Sequence, residues 1–411
     1  MGKTMIEKII GWHTGGDVSP GETVWLDVDV RTARDFGGPN VVRNLLKHYK
    51  ENRIADRDKT FFTFDTVAPA NNIPYAENQQ FCRIFAREEG IKLFDVDQGI
   101  GTHVLIEEHI IRPGTTAVGT DSHYNILGAV AAFGQGMGDV DIAFAFKTGK
   151  VWFNVPNTVR INLTGIPPSN VYPKDVVLFL LSKFGASGLL GRIVEIYGDY
   201  IDSLSLPGRI TIASMGTEMG LISILLPPND HIREFYKGIE YREPVSDPDA
   251  KYEAEYTFDI SKLTPLLSAP FEPHNVHPVS QFEGKHIDTG FIGSCTNGRY
   301  EDIRIAADIL RGKKIKDGCI LKVVPATRRV YKQILKNGTL EELFDAGAIV
   351  SHARCSGCAS GQLGMTGEGE VQLSTGNRNF KGKQGKGETF LASTATVAYS
   401  CLFGEIREPA G

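Results

Sequence analysis

The chain has 411 residues, of which 41% are hydrophobic and 23% are charged, values that are ordinary for globular proteins. They exclude disorder, collagen or a coiled coil as a description of the whole chain, and the length predicts two to three domains. A net charge of −5 argues against non-specific binding to nucleic acid. Six cysteines are too few for a disulfide scaffold, and neither a signal peptide nor an apolar run of membrane-spanning length is visible, so we expect a cytoplasmic protein.

Apolar segments in the first part of the chain predict strands that end in polar residues. These segments are KTFFTFD at 59–65, IKLFDVD at 91–97 and TTAVGT at 115–120. The alternating segment GRITIAS at 208–214 predicts another strand. The stretch from about 238 to 285 is polar and rich in proline, a composition that excludes a regular helix or a central strand. We therefore interpret it as an extended linker.

Strands and helices alternate after the linker. Strands are predicted at 287–293, 319–325, 347–351 and 389–392, and helices at 299–311, at 327–338 and from 393 onward. Thr339 and Glu342 form the capping-box signature of one further short helix. The alternation predicts an α/β fold of doubly wound, mostly parallel sheets flanked by helices. We divide the chain into three α/β domains, at 1–155, 156–285 and 286–411.

Three of the cysteines follow predicted strands. Cys295 lies in GFIGSCTN, between a strand and a helix whose N-terminus lowers a thiol pKa. Cys355 and Cys358 form a C-x-x-C motif in SHARCSGCASG. Such a pair is typical of a redox site, half of a zinc site or a cluster site, and these alternatives remain open at this point. The other cysteines lie in apolar surroundings and are expected in the core: Cys82, Cys319 and Cys401.

Two further motifs carry polar side chains. GTDSH at 119–123 places Asp121, Ser122 and His123 at a strand end, which suits acid–base chemistry, ion binding or simple capping of the next helix. GNRNFKGKQGKG at 376–387 is either a solvated loop or an anion-binding loop, in which Arg378 offers a bidentate fork to a carboxylate.

Taken together, in this order and spacing, these motifs resemble those of the aconitase superfamily. The resemblance covers essentially all 411 residues and is strongest to the stand-alone large subunits of 3-isopropylmalate dehydratase, homoaconitase and 2,3-dimethylmalate dehydratase. It implies the three-domain arrangement of that superfamily and one [4Fe-4S] cluster per chain, held by Cys295, Cys355 and Cys358. The iron without a protein thiolate then acts as a Lewis acid on the substrate. The implied reaction is the reversible dehydration of a hydroxy di- or tricarboxylic acid.

The resemblance also assigns roles to other residues of this chain. Asp35 occupies an acidic position near the site. The catalytic residues are expected to be Asp65, His103, Asp121, His123 and Glu218, and the substrate-binding residues Ser122, Asn377, Arg378 and Lys383.

At four positions the chain departs from the pattern of the superfamily. Thr66 and Thr102 stand where histidines are usual, Ser214 replaces an asparagine near the cluster, and Lys383 replaces an arginine. His103 is expected to supply an imidazole from the neighbouring position of a strand, although adjacent strand residues point to opposite faces. Lysine lacks the planar fork of arginine. These departures count against the ordinary isopropylmalate reaction, with a new substrate and a loss of activity as the alternatives, and they leave the cluster assignment intact.

The swivelling domain of the superfamily, which carries the serine base and further arginines, has no counterpart in the sequence. The resemblance therefore implies a separate small subunit as partner, without which the chain binds a cluster but has little activity. A non-catalytic cluster-bearing sensor and a zinc-bound structural protein are the alternatives. Binding to RNA or to a membrane is not expected, because the chain lacks a basic patch with interleaved aromatic residues and any long apolar segment.

Overall fold

The computed structural model describes residues 2–410, and its helices and strands alternate along most of the chain. The helices are α1 (Met5–Thr14), α2 (Gly38–His48), α3 (Ile73–Glu89), α4 (Gly101–Glu107), α5 (Asp139–Thr148), α6 (Pro173–Phe184), α7 (Asp199–Ser203), α8 (Leu206–Ser214), α9 (Asp230–Phe235), α10 (Tyr300–Leu310), α11 (Arg328–Lys336), α12 (Thr339–Ala346) and α13 (Thr394–Cys401). Short 3₁₀ helices lie at Tyr124–Val130, Met215–Met219 and Val279–Phe282.

Strands alternate with these helices along the chain. They are β1 (Thr23–Asp27), β2 (Val30–Arg34), β3 (Thr60–Thr63), β4 (Lys92–Phe94), β5 (Thr116–Gly119), β6 (Phe133–Gly136), β7 (Lys150–Asn154), β8 (Thr158–Thr164), β9 (Ile193–Tyr197), β10 (Ser223–Leu225), β11 (Ala254–Asp259), β12 (Leu266–Ser268), β13 (Val276–Pro278), β14 (Thr289–Ile292), β15 (Ile320–Val323), β16 (Ile349–Val350), β17 (Val371–Ser374) and β18 (Glu388–Ala392).

The chain forms two compact units. The first contains Met1–Thr164 and Leu190–Phe258, and the second contains Gly165–Leu189 and Asp259–Gly411. The division into three consecutive domains stays a prediction. No helix within residues 2–410 has both the length and the apolar character needed to cross a bilayer.

The first unit is built around a five-stranded parallel sheet in the order β4-β3-β2-β5-β6. The predicted strands at 59–65, 91–97 and 115–120 are confirmed as β3, β4 and β5. Apolar side chains of the sheet, with α1, α2 and α5, form one core in which Phe62, Phe64 and Cys82 are fully buried. Because all five strands are parallel, their carboxyl ends meet at a single edge of the sheet.

The predicted strand at 208–214 is wrong, since these residues belong to helix α8. Ser205 precedes the helix in extended conformation and Pro207 lies in its first turn, a position that suits proline. The buried guanidinium of Arg209 donates to the main-chain oxygens of Ala129 and Leu226, both at 2.8 Å. A helix that is buried on nearly all sides lacks a polar face from which its 3.6-residue period can be recognised. The alternating isoleucines therefore suggested a strand.

The second unit is built around a seven-stranded sheet in the order β13-β12-β18-β17-β14-β15-β16. The five strands from β18 to β16 are parallel, as predicted, and β12 is antiparallel to both of its neighbours. Cys401 is fully buried in the core of this unit, and half-buried Cys319 packs against that core. The mostly parallel sheets flanked by helices confirm the predicted α/β class.

Two local predictions for the second unit are wrong. The proline-rich stretch does contain a central strand, because Pro265 and Pro270 flank β12 without entering it. Helix α12 has Gly338 as its cap residue, with φ of +80°, and lacks the predicted capping box. The hydroxyl of Thr339 instead donates to Asn337 Oδ1 at 2.8 Å.

Candidate active site

A half-buried arginine joins two predicted catalytic carboxylates at the carboxyl edge of the five-stranded sheet. Arg34 is the last residue of β2, and its neighbours β3 and β5 lead into Asp65 and Asp121. The Arg34 Nε atom lies 2.7 Å from Asp65 Oδ1, and Nη1 lies 3.1 Å from Asp121 Oδ1. Because the three residues follow adjacent parallel strands, the sheet itself brings them together.

Asp65 is fully buried, and its environment favours the protonated form. Burial raises its pKa to about 6, with a further contribution from the neighbouring charges of Asp35 and Asp121, and Arg34 opposes this rise. Its Oδ2 accepts the main-chain N–H of Gly101 at 2.8 Å. A carboxyl group with a pKa near neutrality is suited to holding and releasing a proton.

Asp35 supports the loop that carries Asp65. Its Oδ1 accepts the main-chain N–H groups of Asp65 at 3.2 Å and Thr66 at 2.9 Å, and its Oδ2 accepts that of Val67 at 3.1 Å. The side chain of Gln79 also donates to Oδ2, at 3.1 Å. These contacts use both carboxylate oxygens, so Asp35 orients the strand end.

His123 and Glu218 form an imidazole–carboxylate pair in the same unit. Their Nε2 and Oε1 atoms are 3.2 Å apart, and both side chains are almost completely buried. The main-chain N–H of His123 donates to Asp121 Oδ1 at 3.0 Å, which links this pair to the Arg34 group. Glu218 lies in the 3₁₀ helix Met215–Met219, which directly follows α8. A carboxylate oxygen at one ring nitrogen fixes the orientation of the imidazole.

Three other positions singled out in the sequence lie in the same unit. His103 is fully buried and lies in helix α4, so its predicted placement on a strand is wrong. Ser122 is exposed, and its main-chain oxygen accepts from Thr217 Oγ1 at 3.1 Å. Ser214 ends α8, and its hydroxyl donates to the main-chain oxygen of Thr211 at 3.1 Å.

In the second unit, Cys295 lies on the loop that follows β14 and contacts Asn377. Its Sγ lies 3.2 Å from Asn377 Oδ1, which also accepts from Ser294 Oγ at 3.3 Å. Thr375 fastens the two strand ends together, because its Oγ1 accepts from Gly293 N at 3.0 Å and donates to Gly293 O at 3.1 Å. The predicted ligand and the predicted substrate-binding asparagine are therefore neighbours.

A buried carboxyl group shapes the rest of the Cys295 loop. Asp302, in α10, accepts Asn297 Nδ2 and the main-chain N–H of Arg299, both at 2.9 Å. Burial raises the pKa of Asp302 to about 7, and the two donors oppose the rise. These contacts fix the path of the chain from the cysteine into the helix.

Cys355 and Cys358 lie on the loop that follows β16, two strands from β14 in the same sheet. Cys355 is buried and Cys358 is half-buried. The main-chain N–H of Cys358 donates to Gln362 Oε1 at 3.1 Å. Between the cysteines, Gly357 has φ of +61°, and a Cβ there would lie 2.6 Å from the ring of Phe291. Only glycine fits this turn, which therefore fixes the path between the two thiols.

The remaining predicted substrate-binding residues lie on the loop after β17. Arg378 is half-buried, and its main-chain oxygen accepts from Gln384 Nε2 at 2.8 Å. Lys383 is exposed, and its main-chain N–H donates to Phe380 O at 3.0 Å. A cation at each of these positions gives the loop local positive charge within an acidic chain.

Comparison with known proteins identifies the family. The model of the aconitase family (aconitate hydratase) matches residues 7–286 and 280–404. The chain belongs to the aconitase family. It is 43% identical over 415 residues to 3-isopropylmalate dehydratase large subunit 1 of Methanopyrus kandleri, covering 100% of this chain and 99% of that protein. It is 40% identical to a probable methanogen homoaconitase large subunit of Methanothermobacter thermautotrophicus, covering 98% and 97% respectively.

A solved structure supports the same fold. The holo form of aconitase X from Thermococcus kodakaraensis aligns with a TM-score of 0.52 at 13% identity, covering 93% of this chain and 88% of that one. The resemblance seen in the sequence motifs is thus confirmed, and so is the aconitase-like fold. The chain is a hydro-lyase of this family, as predicted.

Membership of the aconitase family implies an iron–sulfur cluster, and the thiol residues fit such a group by their chemistry. Three cysteines follow the parallel strands β14 and β16 of the seven-stranded sheet, and thiolates are the usual ligands of iron–sulfur clusters. Among residues 2–410, no three His, Cys, Asp or Glu side chains lie close enough to hold a single metal ion. A cluster of several irons is larger than one ion, and its ligands stand correspondingly farther apart.

Sequence reasoning missed Arg34, which the structure places between two predicted catalytic aspartates. The only signal in the sequence is that Arg34 immediately precedes Asp35, a residue that the family resemblance singles out. Its importance follows only from the sheet order, in which β2 lies between β3 and β5. That order is not encoded in any local pattern.

Proposed function

We propose that this chain is the large subunit of an iron–sulfur hydro-lyase of the 3-isopropylmalate dehydratase type. The observation that carries the proposal is the contact of Cys295 Sγ with Asn377, in a chain that matches dehydratase large subunits from end to end. The substrate class is a hydroxy di- or tricarboxylic acid, which undergoes reversible loss of water. Homoaconitase activity is the second candidate, supported by the 40% identity to a probable homoaconitase large subunit.

The proposed cofactor is one [4Fe-4S] cluster held by Cys295, Cys355 and Cys358. With three protein ligands, such a cluster retains one open iron, which supplies Lewis-acid chemistry toward the hydroxyl and carboxylate of a substrate. Thiolates must form before iron binds, so the protein has to stabilise three negative charges in this region.

The acid–base roles are proposed for residues of the first unit. The His123–Glu218 pair is proposed to transfer a proton at the imidazole, whose orientation the carboxylate fixes. Asp65 and Asp121 are held in place by Arg34, which limits their movement and balances their charge. His103 remains a further proton carrier in this proposal.

Arg378, Asn377, Lys383 and Ser122 are proposed to bind the anionic groups of the substrate. A guanidinium pairs with a carboxylate through two hydrogen bonds, whereas an ammonium acts as a point charge. We also propose a separate small subunit carrying the swivelling domain, since the relatives are named as large subunits. The three-domain division of this chain belongs to the same proposal.

Anaerobic reconstitution with iron and sulfide tests the cofactor. We expect an absorption band near about 400 nm and about four irons per chain. Cys358→Ser should lose both signals, whereas Cys319→Ser should keep them, because Cys319 lies away from the thiol loops at the start of β15. Stoichiometric zinc without the band would refute the proposal, and so would equal loss of iron in both variants.

Co-expression with a small subunit tests the reaction. The pair of subunits should hydrate and dehydrate branched malate-type acids in a substrate panel. Turnover of homocitrate-type acids instead would favour homoaconitase activity. The large subunit alone should show little turnover. Full activity of this chain by itself would contradict the proposal that turnover depends on a small subunit.

A further inference from the structure

Two cysteines that the proposed cluster does not use lie next to each other in the second unit. Cys401 is the last residue of α13 and is fully buried, and half-buried Cys319 comes directly before β15. Both thiols are free, and their side chains are hydrogen-bonded to each other. The main chain joins the same two positions, because Lys316 N–H donates to Cys401 O at 3.0 Å and Cys319 N–H donates to Lys316 O at 2.9 Å. The turn before β15 is thus fastened to the end of α13 where the two thiols meet.

The seven-stranded sheet brings the two side chains to one of its faces. Cys319 and Leu321 both pack against the core of the unit, whereas Ile320 between them is exposed, as the alternation of a strand requires. Strand β14 is the parallel neighbour of β15, with Gly290 opposite Leu321. A Cβ on Gly290 would overlap Cys401 Sγ. This glycine therefore leaves the space in which the Cys401 thiol lies against the sheet, on the same face as Cys319.

The two thiols differ in exposure and in acidity. Cys401 has no exposed surface, whereas Cys319 is half-buried and follows Gly318, beside which a Cβ would meet no atom within 4 Å. The hydrogen bond from the Cys401 thiol lowers the pKa of Cys319, and burial and the charge of Asp288 oppose this effect. The thiolate is the form of cysteine that reacts with oxidants. The accessible thiol of the pair is therefore the activated one, and the second thiol lies directly behind it.

We propose that Cys319 and Cys401 form a peroxide-reactive dithiol, which closes to a disulfide and is reopened by thiol reductants. The Cys319 thiolate attacks one oxygen of hydrogen peroxide, the O–O bond breaks, and Cys319 becomes a sulfenic acid while hydroxide leaves. Cys401 Sγ then attacks Cys319 Sγ, and the sulfenic oxygen leaves as water with the proton of the Cys401 thiol. Peroxide gains two electrons and the two sulfurs lose two, so two thiols and one peroxide give one disulfide and two waters. An external dithiol returns the two electrons by thiol–disulfide exchange and becomes a disulfide itself.

This dithiol lies at the opposite end of the sheet from the proposed cluster ligands. Cys319 precedes β15, whereas Cys295 follows the parallel strand β14. The disulfide would join the ends of the segment 319–401, which contains Cys355 and Cys358, without using the sulfurs of either residue. The dithiol is therefore independent of the proposed function, and the chain should form the disulfide with or without a cluster.

Mass spectrometry of a non-reduced tryptic digest detects the disulfide directly. The folded full-length chain is reduced, freed of reductant and treated with equimolar hydrogen peroxide, and its remaining thiols are alkylated before digestion. Cys319 lies in the tryptic peptide 317–322 and Cys401 in the peptide 387–407, and neither peptide contains another cysteine. Cys319→Ser and Cys401→Ala remove one thiol each. Cys82→Ser is the matched control, because burial raises the pKa of Cys82 to about 12 in the core of the first unit.

The unaltered chain and Cys82→Ser should both yield the two peptides joined, and dithiothreitol should separate them. Peroxide should consume Cys319 at least about tenfold faster than Cys82, since reactivity follows thiolate character and exposure. Cys401→Ala should instead accumulate a sulfenic acid on Cys319, which dimedone traps, and Cys319→Ser should give no adduct on Cys401.

Absence of the joined peptides from the unaltered folded chain, or their formation only after unfolding in urea, would overturn the inference. So would a dimedone adduct on Cys401 in Cys319→Ser. The decisive measurement uses the unaltered chain, so it does not depend on the folding of a variant. Failure of the chain to take up a cluster would refute the proposed function and leave the dithiol standing.

Discussion

The buried carboxyl group of Asp65 makes the free energy of unfolding depend on pH in a direction that follows from its pKa. Burial raises that pKa to about 6 in the folded chain, from an ordinary value of 3.8. The folded state therefore binds the proton more tightly than the unfolded state does. The resulting stabilisation is complete below pH 3.8 and is lost as the pH rises through 6. Replacing Asp65 by Asn removes this dependence and leaves an oxygen for Arg34.

The expected magnitude follows from the size of the shift. One pKa unit corresponds to about 1.4 kcal/mol, so a shift of roughly two units corresponds to about 3 kcal/mol over the whole titration. Between pH 7.5 and pH 5, about one unit below the folded pKa, the unaltered chain should gain about 1.4 kcal/mol relative to Asp65→Asn. Buried carboxyl groups that do not interact with Asp65, such as Asp175 and Asp302, are present in both chains, so their contributions cancel in the difference.

Urea unfolding of both chains at pH 7.5, 6.5, 5.5 and 5 measures this difference. Asp97→Asn serves as the matched control, because Asp97 is an exposed carboxylate that follows β4 at the same edge of the sheet. The difference between the unaltered chain and Asp65→Asn should grow steadily as the pH falls. A difference that stays flat, or that shrinks on acidification, would refute the reasoning about this buried carboxyl group.

Three further substitutions test other parts of the site. His123→Asn should lower turnover by about 100-fold or more in the complex with a small subunit, as for the loss of a general acid or base, and an unchanged rate would make the buried pair structural. His103→Ala should lower turnover to a similar degree in the same assay, and full activity would mean that His103 has only a structural role. Gly357→Ala should destabilise the chain by about 1 to 3 kcal/mol in urea and release iron, because the new Cβ meets Phe291. Gly369→Ala, where φ is +83° and no atom lies within 4 Å, should retain its iron, and equal iron loss in the two glycine variants would exclude the clash as the cause.

Much of the fold was predictable because its signals are local. The segment 59–65 is an apolar run that ends in Asp65, and 115–120 is one that Asp121 follows; each forms a buried parallel strand with its aspartate at the carboxyl edge. The strands and helices after residue 286 followed in the same way. The prediction for 208–214 failed because a helix buried on nearly every side has no polar face from which its period can be read.

The residue types of the site were predictable from the sequence, whereas the contacts between those residues were less so. Cysteine spacing and the GTDSH motif indicated chemistry, but the ion pairs of Arg34 depend on which strands are neighbours. Lys174 Nζ donates to the main-chain oxygens of Thr375 and Gly376, which lie more than 200 residues later in the sequence, so no local pattern could relate them. His103 was misplaced because a seven-residue helix of buried residues resembles a short apolar strand.

The hydrogen bonds that Lys174 makes also have a consequence for the order of events during synthesis. The main-chain oxygens of Thr375 and Gly376, which accept hydrogen bonds from its Nζ, leave the ribosome about 200 residues after the lysine does. At roughly 5 to 20 residues per second, the lysine is made about 10 to 40 s before those partners exist. Meanwhile residues up to 258 complete the first unit. During this interval the apolar side chains of α6 have not yet been covered by the second unit, which leaves them open to chaperone binding.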